Sequence, residues 1–206
     1  MSDFCGHRKF AAVWDFAARH EGRGELALRE EVTHAAEGRT LEIGFGVGSN
    51  WPFLPANVEY VGIEPDSHMR KPAVAYVPAG RELTLSDGNA EALDFPDESF
   101  DTVIGTLVFC TIGDPARALA EVRRVLKPGG EFRFLEHVRA KNRIGAAAQD
   151  AIRPFWSRLG GGCNPNRDTL ALIRVAGFET TAVRNVKVGP LPAIVGAATK
   201  PIGSTS

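Results

Sequence analysis

The chain has 206 residues, with 24 Lys plus Arg against 25 Asp plus Glu, and its net charge of −1 gives no electrostatic reason to expect a nucleic-acid partner. That length holds one α/β domain with a proper core and hardly two, and 44% apolar with 24% charged residues is ordinary for a soluble globular protein. The three cysteines, Cys5, Cys110 and Cys163, lie far apart without disulfide or metal-ligand spacing, so no metal is expected and a reducing cytoplasm is the expected location.

Met1 to Lys9 lacks the apolar core of a signal peptide, and the apolar stretch Leu191 to Thr199 is too short to span a bilayer and contains Pro192. No integral membrane segment is expected. From Phe4 to Glu37 apolar residues recur at helical spacing (Phe10, Val13, Trp14 and Ala17, then Leu26, Leu28 and Val32), and Gly22 and Gly24 separate two helices. This pair precedes a glycine-rich loop and is expected to cap a ligand, presenting His7, Arg8, Trp14 and Asp15. A core Trp14 and a solvated Arg8 are the plainer alternatives. His20 and His34 have no companion ligands and read as surface residues.

Thr40 to Asn50 runs from a short buried strand, Leu41 to Ile43, into Gly44, Gly46 and Gly48. Alternate glycines let the main chain turn sharply and let a ligand approach it, at the strand end where open α/β sheets bind ligands. A dinucleotide fingerprint needs glycine where Ser49 stands, which disfavours a nicotinamide dehydrogenase. The pattern acidic-x-G-x-G-x-G is complete, with Glu42 as its acid. Val58 to Ile63 is the second strand, and Glu64 at its end is placed to accept from ribose hydroxyls. Asp66 suits the N-cap of the next helix, which Pro72 and Pro78 make short or kinked.

Leu83 to Leu85 reads as a third strand and the apolar Phe100 to Val108 as a fourth, central and parallel, with Thr106 near its carboxyl end. Cys110 beyond it reads as a buried, inert thiol. Asp114-Pro115 opens a helix with the apolar stripe Ala118, Leu119, Val122 and Leu126, stopped by Lys127-Pro128-Gly129-Gly130. A fifth strand from Glu131 leads into Glu136-His137-Val138. After a helix from Leu170 to Ala176, strands Glu179 to Val188 and Ala193 to Lys200 form a closing antiparallel hairpin around Gly189-Pro190.

The glycine loop resembles motif I of the class I S-adenosylmethionine-dependent methyltransferases. The run Asp87 to Asp101 is similar to a signature of their ubiquinone/menaquinone-biosynthesis-like, type 11 group, and Glu121 to Phe132 is similar to a run that recurs there. Phe134 to Val138, Pro154, Trp156 and Gly162-Cys163-Asn164 resemble the methyltransferase-like small-molecule thiol methyltransferases. The resemblance covers 41–200. It implies a Rossmann-like α/β fold: a seven-stranded, mostly parallel sheet with an antiparallel last strand, helices on both faces and an amino-terminal helical lid. The expected organisation is one domain over 1–206, with the cap at 1–38 and a cofactor-binding core at 39–200. The implied cofactor is S-adenosyl-L-methionine, leaving as S-adenosyl-L-homocysteine. Glu42 would fix the loop, Gly44, Gly46 and Gly48 would pass under methionine and ribose, and Glu64 would hold the ribose. Asn89, standing where the signature has Asp, would accept from the adenine amino group, with Asp87 as a substitute. The Ala90 amide would face the ring and Thr106 would border the cleft.

Methyl transfer from a sulfonium is an in-line displacement, and holding the reactants in line supplies on the order of 7–11 kcal/mol. The resemblance implies a small-molecule acceptor, a thiol first and a phospholipid or other natural-product N-, O- or C-nucleophile second. A non-catalytic S-adenosylmethionine-binding partner protein is the rival from another class. Histidine titrates near neutral pH, so His137 is the candidate base beside the cleft, with Glu136 orienting it or touching the acceptor. The plainer alternative makes both part of the cleft wall. Trp14, Cys163, Asn164 and Arg167 are expected on the substrate side, and Gly160-Gly161-Gly162 in a tight or mobile loop. The sequence assigns no oligomeric state.

Overall fold

Apolar runs of strand length alternate along the chain with amphipathic helices, and that alternation builds a parallel sheet because parallel neighbours need a crossover between them. The computed structural model describes residues 8–159 and 162–203; His7, Cys5, Gly160 and Gly161 lie outside them. The strands are β1 (Arg39–Ile43), β2 (Glu59–Ile63), β3 (Thr84–Ser86), β4 (Phe100–Thr106), β5 (Leu126–His137), β6 (Glu179–Val188) and β7 (Leu191–Thr199). They form one seven-stranded sheet in the order β3-β2-β1-β4-β5-β7-β6. β7 runs antiparallel to both β5 and β6, and the other pairings are parallel. The order reverses between β1 and β4, so the crevice at their carboxyl ends is where such a sheet takes a ligand.

The helices are α1 (Arg8–Arg19), α2 (Arg23–Thr33), α3 (Ser67–Ala73), α4 (Pro115–Val125), α5 (Arg143–Leu159) and α6 (Thr169–Val175). Alternation of side chains along each strand divides the core between two faces. Leu41, Ile43, Val103 and Phe134 pack with Leu119 and Val122 of α4 and Ile173 of α6. Ile104, Leu135 and Val195 pack on the other face with Leu28 and Val32 of α2, Trp51 and Tyr60. Each large side chain fully buried in this way contributes about 1.5–3 kcal/mol. The expected N-cap at Asp66 is present, its carboxylate accepting from the His68 amide at 2.8 Å, and Asp114 caps α4 through the Arg117 amide at 3.0 Å.

Three boundaries differ from expectation. Leu126, expected in the stripe of α4, is the first residue of β5 and adopts extended backbone, since Pro128 cannot continue a helix. β5 therefore starts before Glu131; its register jumps from Phe100↔Leu126 to Thr102↔Glu131, with Lys127 to Gly130 tied to the chain end through Gly129 N–H to Lys200 O at 2.8 Å. The 17-residue α5 was not expected at all, and it contains Pro154. Gln149 pins it: Nε2 donates to the carbonyls of Val138 and Pro165, and Oε1 accepts from the Ala140 amide. His20 and His34 are exposed, as expected.

Candidate active site at the carboxyl ends of the strands

The three loop glycines serve different ends. All have positive φ, at 65° for Gly44, 56° for Gly46 and 82° for Gly48. A Cβ on Gly44 would lie 2.4 Å from Val108 Cγ2, and one on Gly48 would lie 2.4 Å from the Trp51 ring. One on Gly46 would meet nothing nearer than Met69 Sδ at 3.9 Å and Trp14 Nε1 at 4.0 Å. Gly44 and Gly48 thus let the loop pack down, while Gly46 leaves main chain open beneath the half-buried Trp14 of α1. Glu64 closes the arrangement from β2. Its Oε2 accepts from the Gly46 amide at 3.0 Å and its Oε1 from the Asp66 amide at 2.8 Å. Each carboxylate oxygen keeps a further lone pair for a ribose hydroxyl. Burial pushes the Glu64 carboxyl up to about 7, against the pull of those two amides.

Under the loop lies a buried polar network. The Glu42 side chain leaves β1 on the face opposite Leu41 and Ile43, accepting from Asn50 Nδ2 at 2.7 Å and from Tyr60 Oη at 2.6 Å. Trp51 Nε1 donates to the same Tyr60 oxygen at 2.8 Å. Thr106 Oγ1 accepts from Asn50 Nδ2 at 2.9 Å and from Arg29 Nη1 at 3.2 Å, and Arg29 makes a two-pronged pair with Glu21, both contacts 2.6 Å. Burial raises the Glu42 carboxyl, while Tyr60, Asn50 and Arg29 pull it back. Glu42 and Thr106 therefore support the loop from below instead of opening onto the cleft. Of the residues expected to face adenine, Ala90 is buried, whereas Asn89 is exposed and spends Oδ1 on the Glu91 amide at 3.0 Å. Asp87 is exposed and lies 3.7 Å from Arg70.

On the far side of β1, the ends of β4 and β5 carry the rest of the site. Leu107 takes φ 56°, a strained conformation for a branched residue that costs about 1–3 kcal/mol. The turn is held by Glu136, whose Oε1 accepts from the amides of Val108 and Phe109 at 2.9 and 3.0 Å. Oε2 is buried with no hydrogen-bond partner among the described residues, and burial pushes the carboxyl up to about 8. His137, the last residue of β5, brings Nδ1 to 4.0 Å from Cys163 Sγ. Cys110 completes a buried group in which both sulfurs and an imidazole nitrogen lie within 4.8 Å of one another. Of the two thiols, Cys110 is raised by its contact with Cys163 and by burial, and Cys163 is lowered by that contact and by His137.

Asn164 and Arg167, expected to face a substrate, are spent on main chain. The Asn164 amide and Nδ2 both donate to Cys110 O, and Arg167 Nη1 donates to Phe109 O and to Ile112 O. They lock the loop after α5 onto the turn after β4. Cys110, read from the sequence as a buried, inert thiol, is buried but lies close to a second cysteine and a histidine. Arg29, Asn50 and Tyr60 were missed altogether. Tyr60 had a usable signal, being a phenol on the strand face that β alternation assigns to Glu42; Arg29 had none.

A methyltransferase-domain family model matches residues 41–134. The human thiol S-methyltransferase TMT1A is 32% identical over 152 residues, 71% of this chain and 62% of that protein, so the match spans less than two thirds of its length. A phosphatidylethanolamine N-methyltransferase of Cereibacter sphaeroides is 31% identical over 152 residues, 72% of this chain and 75% of that protein. A crystal structure of a SAM-dependent methyltransferase from Methanosarcina mazei superposes with a TM-score of 0.65 at 22% identity, over 80% of this chain and 93% of that one, and shares the fold.

Proposed function

The chain belongs to the S-adenosylmethionine-dependent methyltransferases, the EC 2.1.1 class, and we propose that it transfers a methyl group to a small-molecule thiol. When bound, the cofactor of this family supplies an activated methyl group on a sulfonium. Gly46 and Glu64 fit it: the first offers open main chain and the second a buried carboxylate with acceptor capacity left. In this reading the glycine loop and Glu64 bind and orient the donor, Ala90 and Asn89 border the base, and α1 with Trp14 excludes water. His137 promotes ionisation of the acceptor thiol, and Glu136 holds the turn that walls the acceptor side.

The observation that carries the reading is the placement of His137 with Cys110 and Cys163 at the carboxyl end of the sheet, the end that also carries the glycine loop. A buried group of two sulfurs and an imidazole suits a soft nucleophile that has shed its water. The thiol S-methyltransferase relative supports the same acceptor class. The phosphatidylethanolamine N-methyltransferase relative favours a lipid amine as the second reading. Methyl-labelled S-adenosylmethionine offered with alkyl and aryl thiols, hydrogen sulfide, phosphatidylethanolamine, a quinol and an amine decides between them. Labelled thioether is the expected product; labelled lipid or amine would replace the acceptor. S-adenosylmethionine binding with no labelled product from the panel would favour a non-catalytic binding role.

Glu64→Ala is expected to weaken S-adenosylhomocysteine binding by about 1–3 kcal/mol, roughly 5- to 150-fold in Kd. Ribose hydroxyls donate to the ionised carboxylate, so a group with pKa about 7 must lose its proton on binding at acid pH. Affinity should therefore be flat above pH 8 and fall toward tenfold per unit below pH 6, and the alanine variant should lose that slope. Calorimetric titration across pH 5.5–8.5 reads both. A wild-type Kd that stays level through this range removes the Glu64 carboxylate from the ribose site.

A further inference from the structure

We propose that Cys110, His137 and Cys163 form a three-ligand site for one thiophilic divalent cation, zinc, whose fourth position receives the acceptor thiol. The donor atoms come from three separate segments: the turn after β4, the end of β5 and the loop after α5. They nonetheless lie within 4.8 Å of one another, and all three residues are buried. Tetrahedral zinc with Zn–S of about 2.3 Å and Zn–N of about 2.0–2.1 Å sets its ligand atoms about 3.5–3.8 Å apart. The Cys163 Sγ to His137 Nδ1 distance of 4.0 Å is a few tenths of an ångström from that geometry.

The segments that carry the ligands are held independently of any ion. Asn164 and Arg167 bind the carbonyls of Cys110, Phe109 and Ile112, and Gln149 joins Val138 to Pro165. Two sulfurs and an imidazole are a soft-to-borderline donor set that selects zinc over magnesium or calcium. The adjoining Glu136 Oε2 is buried and without a hydrogen-bond partner among the described residues. Structural zinc sites use four protein ligands, whereas sites with three keep a position for a reactant.

This rests on the thiol reading and specifies how His137 serves it: Nδ1 acts as a ligand, and the cation ionises the acceptor. The R–SH proton passes to solvent as its sulfur enters the fourth position. That sulfur forms the new S–CH3 bond while the donor's C–S bond breaks, its electron pair staying on the sulfur of S-adenosylhomocysteine. The neutral thioether is the weaker ligand and leaves.

The test uses the full chain, stripped with a chelator under a phosphine reductant, then titrated with Zn2+ against a chromophoric competitor and separately with Co2+. Expected are about one zinc per chain and a tetrahedral cobalt spectrum with sulfur charge-transfer bands that shifts when a small alkyl thiol is added. Cys110→Ser and Cys163→Ser should each lose about 10²-fold or more in zinc affinity, with S-adenosylhomocysteine affinity unchanged as the folding control. Zinc affinity equal in wild type and the Cys110→Ser, Cys163→Ser double variant would overturn the site. So would full-rate thiol methylation by the stripped protein, which would leave the thiol reading standing. A zinc-loaded protein whose cobalt spectrum ignores thiols, and which methylates none, overturns the thiol reading and the fourth-position role together.

Discussion

Gly48→Ala is expected to lower the free energy of unfolding by about 2–5 kcal/mol and to abolish tight cofactor binding. Two costs add. An L-residue at φ 82° pays about 1–2 kcal/mol of backbone strain. The new methyl would also stand 2.4 Å from Trp51 Cε3. That ring cannot step aside cheaply, being 2% exposed and anchored through Nε1 to Tyr60 at 2.8 Å, and overpacking at such a site costs about 1–3 kcal/mol. Domains of this kind hold about 5–15 kcal/mol in total, so the loss is a large share. Gly80→Ala separates the two costs, because Gly80 has φ 77° but nothing within 4 Å of an added Cβ. Urea midpoints for both variants read the difference. Equal losses would mean that the indole yields and that the loop is not seated on Trp51.

His137→Ala is expected to slow thiol methylation by about 10²-fold or more in kcat/KM, the scale of a missing proton-transfer or activating group. S-adenosylhomocysteine affinity should stay within about twofold of wild type, because the glycine loop and Glu64 follow β1 and β2, whereas His137 ends β5, on the other side of β4. The deficit should depend on pH. A thiol with pKa near 8.5 is scarcely ionised at pH 6 and largely ionised at pH 9, so the variant should close on wild type as pH rises. Rates measured from pH 6 to 9 check this. A constant ratio across that range would assign His137 to the cleft wall.

The positions of the glycine loop and Glu64 were legible because they are local. Gly44, Gly46, Gly48 and Glu64 sit at strand ends that periodicity alone locates, and the loop chemistry acts through main chain within a few residues. The strand sequence and the closing hairpin were legible for the same reason: apolar alternation and turn residues act over short range. α5 escaped because Ile144, Ile152 and Phe155 are exposed, so its apolar residues do not mark a buried stripe, and Pro154 reads as a breaker. Asn164 matched the family pattern and Arg167 was expected on the substrate side, yet which atoms their donors meet is settled by packing.

By itself the sequence determined the sheet, the glycine loop with its acid at the end of β2, and hence the class of ligand the crevice takes. Tertiary structure alone decided that Glu42 and Thr106 lie beneath that loop, joined to Arg29, 77 positions from Thr106 in the chain. It alone brought Cys110, His137 and Cys163 together, with His137 and Cys163 26 positions apart. The physical reason is that strand and turn preferences are properties of neighbouring residues. A buried charge network or a sulfur–imidazole cluster exists only once crossovers have laid distant strand ends side by side, where low dielectric makes each unpaired donor costly and each close pair decisive.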